Sequence, residues 1–83
     1  MDQLNRIETP KSSNIRYVEY DYAASDLRVT FKNGSEYGYA MVPRHLFEAF
    51  GTVDSAGKHF IKNIKDHYKC IKVKGPSQLK LNS

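Results

Sequence analysis

Apolar and polar residues alternate most regularly in Leu27-Arg28-Val29-Thr30-Phe31-Lys32. Leu27, Val29 and Phe31 fall on one side, and Arg28, Thr30 and Lys32 on the other. A period of two is the pattern of a strand with one covered face. Asn33-Gly34 follows, a dipeptide suited to a type I′ hairpin turn because both residues tolerate positive φ. Residues 36–42 then predict the returning strand. Tyr37, Tyr39 and Met41 share one of its faces, and Gly38, Ala40 and Val42 the other. Upstream, residues 14–20 are rich in β-branched and aromatic side chains and predict a first strand. Ile15 and Val18 differ in parity, which a β-bulge or a strand buried on both faces accounts for. With residues 21–26 as a turn, the three strands form an antiparallel meander.

The period then changes. Pro43 suits the first turn of a helix, where its missing N–H is not needed. Leu46, Phe47, Ala49 and Phe50 make an apolar stripe at helical spacing, and Gly51 ends it. Asp54 or Ser55 can cap a second helix. There Ala56, Phe60, Ile64 and Tyr68 recur every four residues as the buried face, with Ile61 beside them. Lys58, Lys62, Lys65 and Lys69, at steps of four, three and four, make a second, exposed stripe. Residues 70–73 suit a short final strand. The fold class expected is α+β, a small antiparallel sheet of three or four strands with two helices on one face. Residues 1–11 read as a flexible arm, 12–73 as a single domain, and 74–83 as a loose tail.

With 83 residues, 40% hydrophobic and 12% aromatic, the chain has enough apolar material for one small core and no room for a two-domain cleft. No stretch approaches the roughly 18 apolar residues of a membrane span. Residues 1–10 contain no apolar run of the secretory-signal kind. Cys70 is the one cysteine, so an internal disulfide and a Cys-based zinc site are excluded. A cytoplasmic, reducing setting is the expectation, and the sequence calls for no cofactor.

Charge sharpens the picture. Residues 1–57 carry six basic and eight acidic groups, net −2, whereas residues 58–83 carry seven lysines and one acid, net +6. The whole basic excess therefore lies in the last third. Such asymmetry suits either a nucleic acid or an acidic partner, and equally a solvated face.

The same residues resemble the KTSC domain, named for the C-terminal extension of some lysyl-tRNA synthetases. The resemblance runs from about residue 12 to residue 71. It opens with Ser12-Ser13-Asn14-Ile15 and Tyr20-Asp21, and continues through Leu27, Val29, Phe31 and Gly34. The family's tyrosine pair with one residue between matches Tyr37 and Tyr39, and Val42-Pro43 follows at the expected place. Ser55, Gly57, Phe60, Ile64 and Tyr68 close it. The resemblance implies a small domain that occurs free-standing, including in phages, as well as on synthetases. The family has no established activity; its synthetase setting suggests RNA. No catalytic body precedes the domain here, so a part in charging tRNA is not expected.

Among candidate chemistries the lysines come first. Lys58, Lys62, Lys65 and Lys69, with Lys72 and Lys74 beyond them, can neutralise phosphates and release counterions. Lysine lacks the bidentate fork that reads bases, so contacts of this kind are sequence-independent. Tyr37 and Tyr39 can stack unpaired bases, or form the core beneath the helices. His45, His59 and His67 read as solvated. His59 and His67, eight apart on one helix, stand about 12 Å from each other, too far to share a metal alone. Cys70 has lysine neighbours that favour a thiolate, but reads as a buried strand cysteine. Asp54-Ser55-x-Gly57 at a helix start suits a cap, or an anion. No catalytic constellation appears. The leading expectation is a non-enzymatic module binding RNA or single-stranded nucleic acid through the lysine face. The alternative is a protein–protein interaction module, a phage-type effector that engages an acidic host protein surface.

Overall fold

A computed structural model describes residues 4–75. Five strands form one antiparallel sheet in chain order, β1 (Leu4–Glu8), β2 (Ile15–Asp21), β3 (Asp26–Phe31), β4 (Glu36–Tyr39) and β5 (Cys70–Lys74). Helices α1 (Arg44–Glu48) and α2 (Ala56–Asn63) lie between β4 and β5, with a 3-10 turn, Ala49–Gly51, after α1. The α+β class with an antiparallel sheet and two helices is as expected, but the sheet has five strands where three or four were read. Among the described residues no helix is long and apolar enough to cross a membrane.

The extra strand comes from the segment read as a flexible arm. β1 pairs with β2 along its length, from Leu4 opposite Asp21 to Glu8 opposite Tyr17. Its link to β2 is tied down by side chains. Thr9 is buried and donates its hydroxyl to the Ile15 carbonyl at 2.7 Å. Ser12 Oγ accepts from the N–H of Asn14 and of Ile15. Such local side-chain bonds are invisible to hydrophobic periodicity, which is why the polar segment looked unstructured. At the other end, Lys74 closes β5 rather than opening a tail; the rest of that expected tail, residues 76–83, lies outside the described residues.

The parity break in β2 is a bulge: the register shifts between Ile15 and Tyr17, so that both Ile15 and Val18 reach the core. The hairpin after β3 is wider than a type I′ turn. Gly34 N–H bonds to the Phe31 carbonyl, Phe31 N–H bonds to the Ser35 carbonyl, and only Gly34 has positive φ, 95°. This is the three-residue arrangement of a turn closed by a left-handed glycine. Asn33 Oδ1 accepts from Ser35 N–H at 2.9 Å and so stabilises the turn through its side chain instead of its φ.

β4 ends at Tyr39 because Met41 adopts φ 58°. This reverses the parity read for residues 36–42. Met41 is 74% exposed, and Val42 is buried in the core. Val42 N–H donates to the Ser25 carbonyl at 2.9 Å, and its own carbonyl accepts the Tyr20 hydroxyl. Pro43 is then the N-cap of α1, not a first-turn residue.

The cross-strand register divides the sheet into two faces. Tyr20, Leu27 and Tyr39 line up on one, as do Ile7, Val18, Val29 and Tyr37. The helices cover this face with Phe47, Phe50, Phe60 and Ile64. Tyr20 stacks on Phe47 with ring centroids 5.2 Å apart and planes 14° from parallel. The other face is polar. Arg6 bridges Glu19 at 2.9 Å and Glu8 at 3.7 Å, Arg28 reaches Glu19 at 3.7 Å, and the Arg6 guanidinium lies 3.9 Å over the Tyr17 ring.

Replacing Tyr20 by Phe leaves the packing volume almost unchanged and removes the donor to a buried carbonyl. Tyr20→Phe is expected to lower the unfolding free energy by about 1–3 kcal/mol, the cost of an unsatisfied buried acceptor. Urea unfolding followed by circular dichroism checks this, and no loss of stability means that the Val42 carbonyl finds another partner.

Candidate functional site: an aromatic groove with a lysine rim

The lysine stripe does not survive folding. Helix α2 ends at Asn63, so only Lys58 and Lys62 of the four lie on it. The N–H groups of Ile64 and Lys65 both point to the Phe60 carbonyl, at 2.9 and 2.8 Å, and Asp66 takes φ 67°. The chain thus leaves the helix in a left-handed turn, and Lys69 precedes β5 outside any helix. No glycine or proline at 64–68 announces this stop. It arises because Ile64 is drawn fully into the core and the chain then has to return to the edge of the sheet. Lys58, Lys62, Lys65, Lys69 and Lys74 are all exposed. Lys72 stands in β5 opposite Gly38. Among the described residues the ion pairs join Arg6 and Arg28 to Glu8 and Glu19, and none includes a lysine.

What the fold does bring together is a groove of about 260 Å³ between the β3–β4 hairpin and α2. Its wall is a set of interlocked rings. Phe31 meets Tyr37 edge-to-face at 5.5 Å and Phe60 at 5.6 Å, and Tyr39 meets Phe60 at 5.7 Å. Asn14, Asn33 and Ser35 line the sheet side, and Gly57, Ile61 and Lys65 the side formed by α2 and the turn after it. Ile61, read as a flank of the buried stripe, is 60% exposed at this lip. Three of the residues singled out in the sequence, Tyr37, Tyr39 and Lys65, therefore meet in one place.

The two tyrosines are not equivalent. Tyr39 is 5% exposed and belongs to the core, which removes it as a stacking platform. Burial pushes its hydroxyl pKa up to about 12, with the neighbouring Cys70 adding to the shift. Tyr37 is half-buried and keeps part of its ring at the groove. Tyr39 packs against Phe60 in the core, whereas Tyr37 is nearer the β3–β4 turn, opposite the exposed Val73.

Sequence reasoning missed Asn14, Asn33 and Phe31 as groove residues. The only available signal was the pair of asparagines next to the bulge and in the hairpin turn. Asn33 uses Oδ1 in the turn, which leaves its amide nitrogen as a donor.

The remaining candidates are structural. Ser55 Oγ accepts from Lys58 N–H at 3.2 Å and caps α2, so the Asp54-Ser55-x-Gly57 motif is a cap. His59 is buried, not solvated: Nε2 lies 2.8 Å from the Leu46 carbonyl and Nδ1 2.9 Å from the Asn63 amide nitrogen. The ring also meets Phe50 edge-on at 4.6 Å, holding the 3-10 turn against α2. His45 and His67 are exposed. Cys70 is exposed, contrary to the buried strand cysteine read from its surroundings, because β5 is an edge strand. No group of three or more metal-ligating side chains occurs among the described residues.

Comparison with known proteins places this arrangement. A family model described as the KTSC domain matches residues 11–68. The crystal structure of a KTSC domain protein from Yersinia pestis superposes with a TM-score of 0.73 at 29% sequence identity, covering 86% of this chain and 99% of that one. Curated proteins yield no match. Phe31, Tyr37, Tyr39, Gly57 and Phe60, on which the resemblance partly rests, all line the groove.

Tyr39 gives a pH test of the wall. Its proton is held more tightly in the folded protein than in the unfolded chain, where the value is near 10. Its contribution to stability is therefore complete below pH 10 and is lost as pH rises through about 12, by at most about 2–3 kcal/mol. Urea midpoints between pH 9 and 11.5 are expected to fall more steeply for the parent than for Tyr39→Phe. Equal slopes mean that Tyr39 ionises without penalty and is not part of a dry wall.

Proposed function

The chain belongs to the KTSC domain family, and from that premise we propose that it is a non-enzymatic binding module for single-stranded nucleic acid, RNA foremost, held in the aromatic groove. The observation that carries this reading is the meeting of exposed aromatic edges, amide donors and a lysine in one opening of about 260 Å³. An unstacked base is flat and apolar on its faces and polar on its edges. The edge-to-face rings of Phe31 and Tyr37 offer an apolar wall for the face. The carboxamides of Asn14 and Asn33 offer donors and acceptors for the edge. Lys65 stands at the rim for the phosphate, and Lys58 and Lys62 on α2 carry the field outward.

This geometry selects for single strands. A base inside a duplex presents no free face, so the wall has nothing to contact. Lysine provides point charges rather than forks, so the phosphate contacts are not sequence-specific. A reducing, cytoplasmic setting is consistent with a single exposed cysteine.

The test is fluorescence anisotropy with labelled oligouridine, tRNA and duplex DNA at two salt concentrations. With about three lysines engaged, affinity for the single strand falls by about tenfold to twentyfold between 50 and 200 mM salt. Lys65→Glu is expected to weaken binding at least about fivefold and to flatten the salt slope. Tyr37→Leu is expected to weaken it about tenfold with the slope unchanged, since stacking contributes roughly 1–3 kcal/mol per base. Equal binding of duplex and single strand, or indifference to both substitutions, overturns the reading.

A further inference from the structure

The groove has a neighbour. A second opening, of about 430 Å³, is lined by Ser13, Asn14, Phe31, Lys32 and Asn33. Asn14, Phe31 and Asn33 also line the groove, so the two openings share a wall. The strand ends explain why they adjoin. Ile15 pairs with Phe31, and beyond that pair the Lys32 N–H donates to the Asn14 carbonyl at 2.7 Å. The start of β2 and the end of β3 therefore stay side by side up to the hairpin turn.

The shared wall is aromatic, amide-bearing and largely fixed in advance. The Phe31 ring is half-buried and held edge-to-face by Tyr37 and Phe60. Ser12 Oγ accepts the Asn14 N–H, and the Asn33 carboxamide is tied to Ser35 N–H. Groups held in this way cost little further ordering when a ligand arrives. Each opening also has a cation of its own, Lys65 in the groove and Lys32 in its neighbour. Lys32 is exposed, and its Nζ lies 3.5 Å from the Pro10 carbonyl, a contact that uses one of the three donors of an ammonium. Among the described residues, those lining the two openings include no acid. A single nucleotide, with one base and one phosphate, fills half of this arrangement. Two bases side by side, with a phosphate for each lysine, match all of it. We propose that the second opening is a subsite for the adjoining nucleotide of the strand, with its base against the Phe31 wall and its phosphate at Lys32, so that the smallest ligand using the whole surface is a dinucleotide. This inference rests on the nucleic-acid reading of the groove.

The experiment is an amide NMR titration of the full chain with uridine monophosphate, with the dinucleotide pUpU, and with pUpU lacking one base. The dinucleotide is expected to bind at least about tenfold more tightly than either of the others, because a second base stacks. Uridine monophosphate is expected to shift the Gly57 and Ile61 signals, and pUpU those of Ser13 and Lys32 as well. Lys32→Glu is expected to weaken pUpU about fivefold and uridine monophosphate less than about twofold, whereas Lys65→Glu weakens both. Equal affinity for the three ligands, unmoved Ser13 and Lys32 signals, or an equal effect of Lys32→Glu on mononucleotide and dinucleotide overturns the subsite while the groove reading stands. Binding of none of them, with oligouridine failing too, overturns the groove reading and the subsite with it.

Discussion

Tyr20 stands in the centre of the covered face with its ring against Phe47 and its hydroxyl on the Val42 carbonyl. A five-stranded sheet that packs helices on one face only has to close that face, or its apolar side chains stay in contact with water. The ring anchors α1, and the hydroxyl anchors the turn that leads into it. Val42 can be reached only because Met41 takes a left-handed conformation and turns outward. The placement of both helices, and so of the groove beneath α2, follows from this junction. His59 repeats the strategy one layer further out, joining the Leu46 carbonyl to Asn63 through its ring.

Electrostatics divides the molecule in a way the local geometry explains. On the polar face of the sheet, arginines and glutamates face each other across β1, β2 and β3 and neutralise one another. On the helix side and along β5, described lysines stand without a described counter-charge. The positive field therefore belongs to the part of the molecule that also carries the aromatic groove.

The strands around the hairpin were legible in the sequence because one covered face imposes a period of two, and the bulge in β2 was legible as a break in it. The two helices were legible from their apolar stripes, and the Ser55 cap from its residue type. β1 was not legible, because a five-residue edge strand with a polar outer face leaves little periodicity. Met41 and the end of α2 were not legible either, since a left-handed methionine or aspartate has no strong local signature.

For the site, chain order determined that lysines gather after residue 57 and that two tyrosines share a face. Residue types and spacing suffice for that, because charge is a property of composition and side-chain alternation is local. Whether those residues meet was decided only by the tertiary structure. The lysine stripe assumed a helix running to Lys69, and the pull of Ile64 into the core ends it at Asn63. The equivalence of Tyr37 and Tyr39 assumed equal cover, and Phe60 buries one more than the other. Asn14 and Asn33, nineteen positions apart in the chain, line the same groove through the antiparallel pairing of β2 with β3. Long-range pairing and competition for the core are properties of the folded chain, and no local pattern contains them.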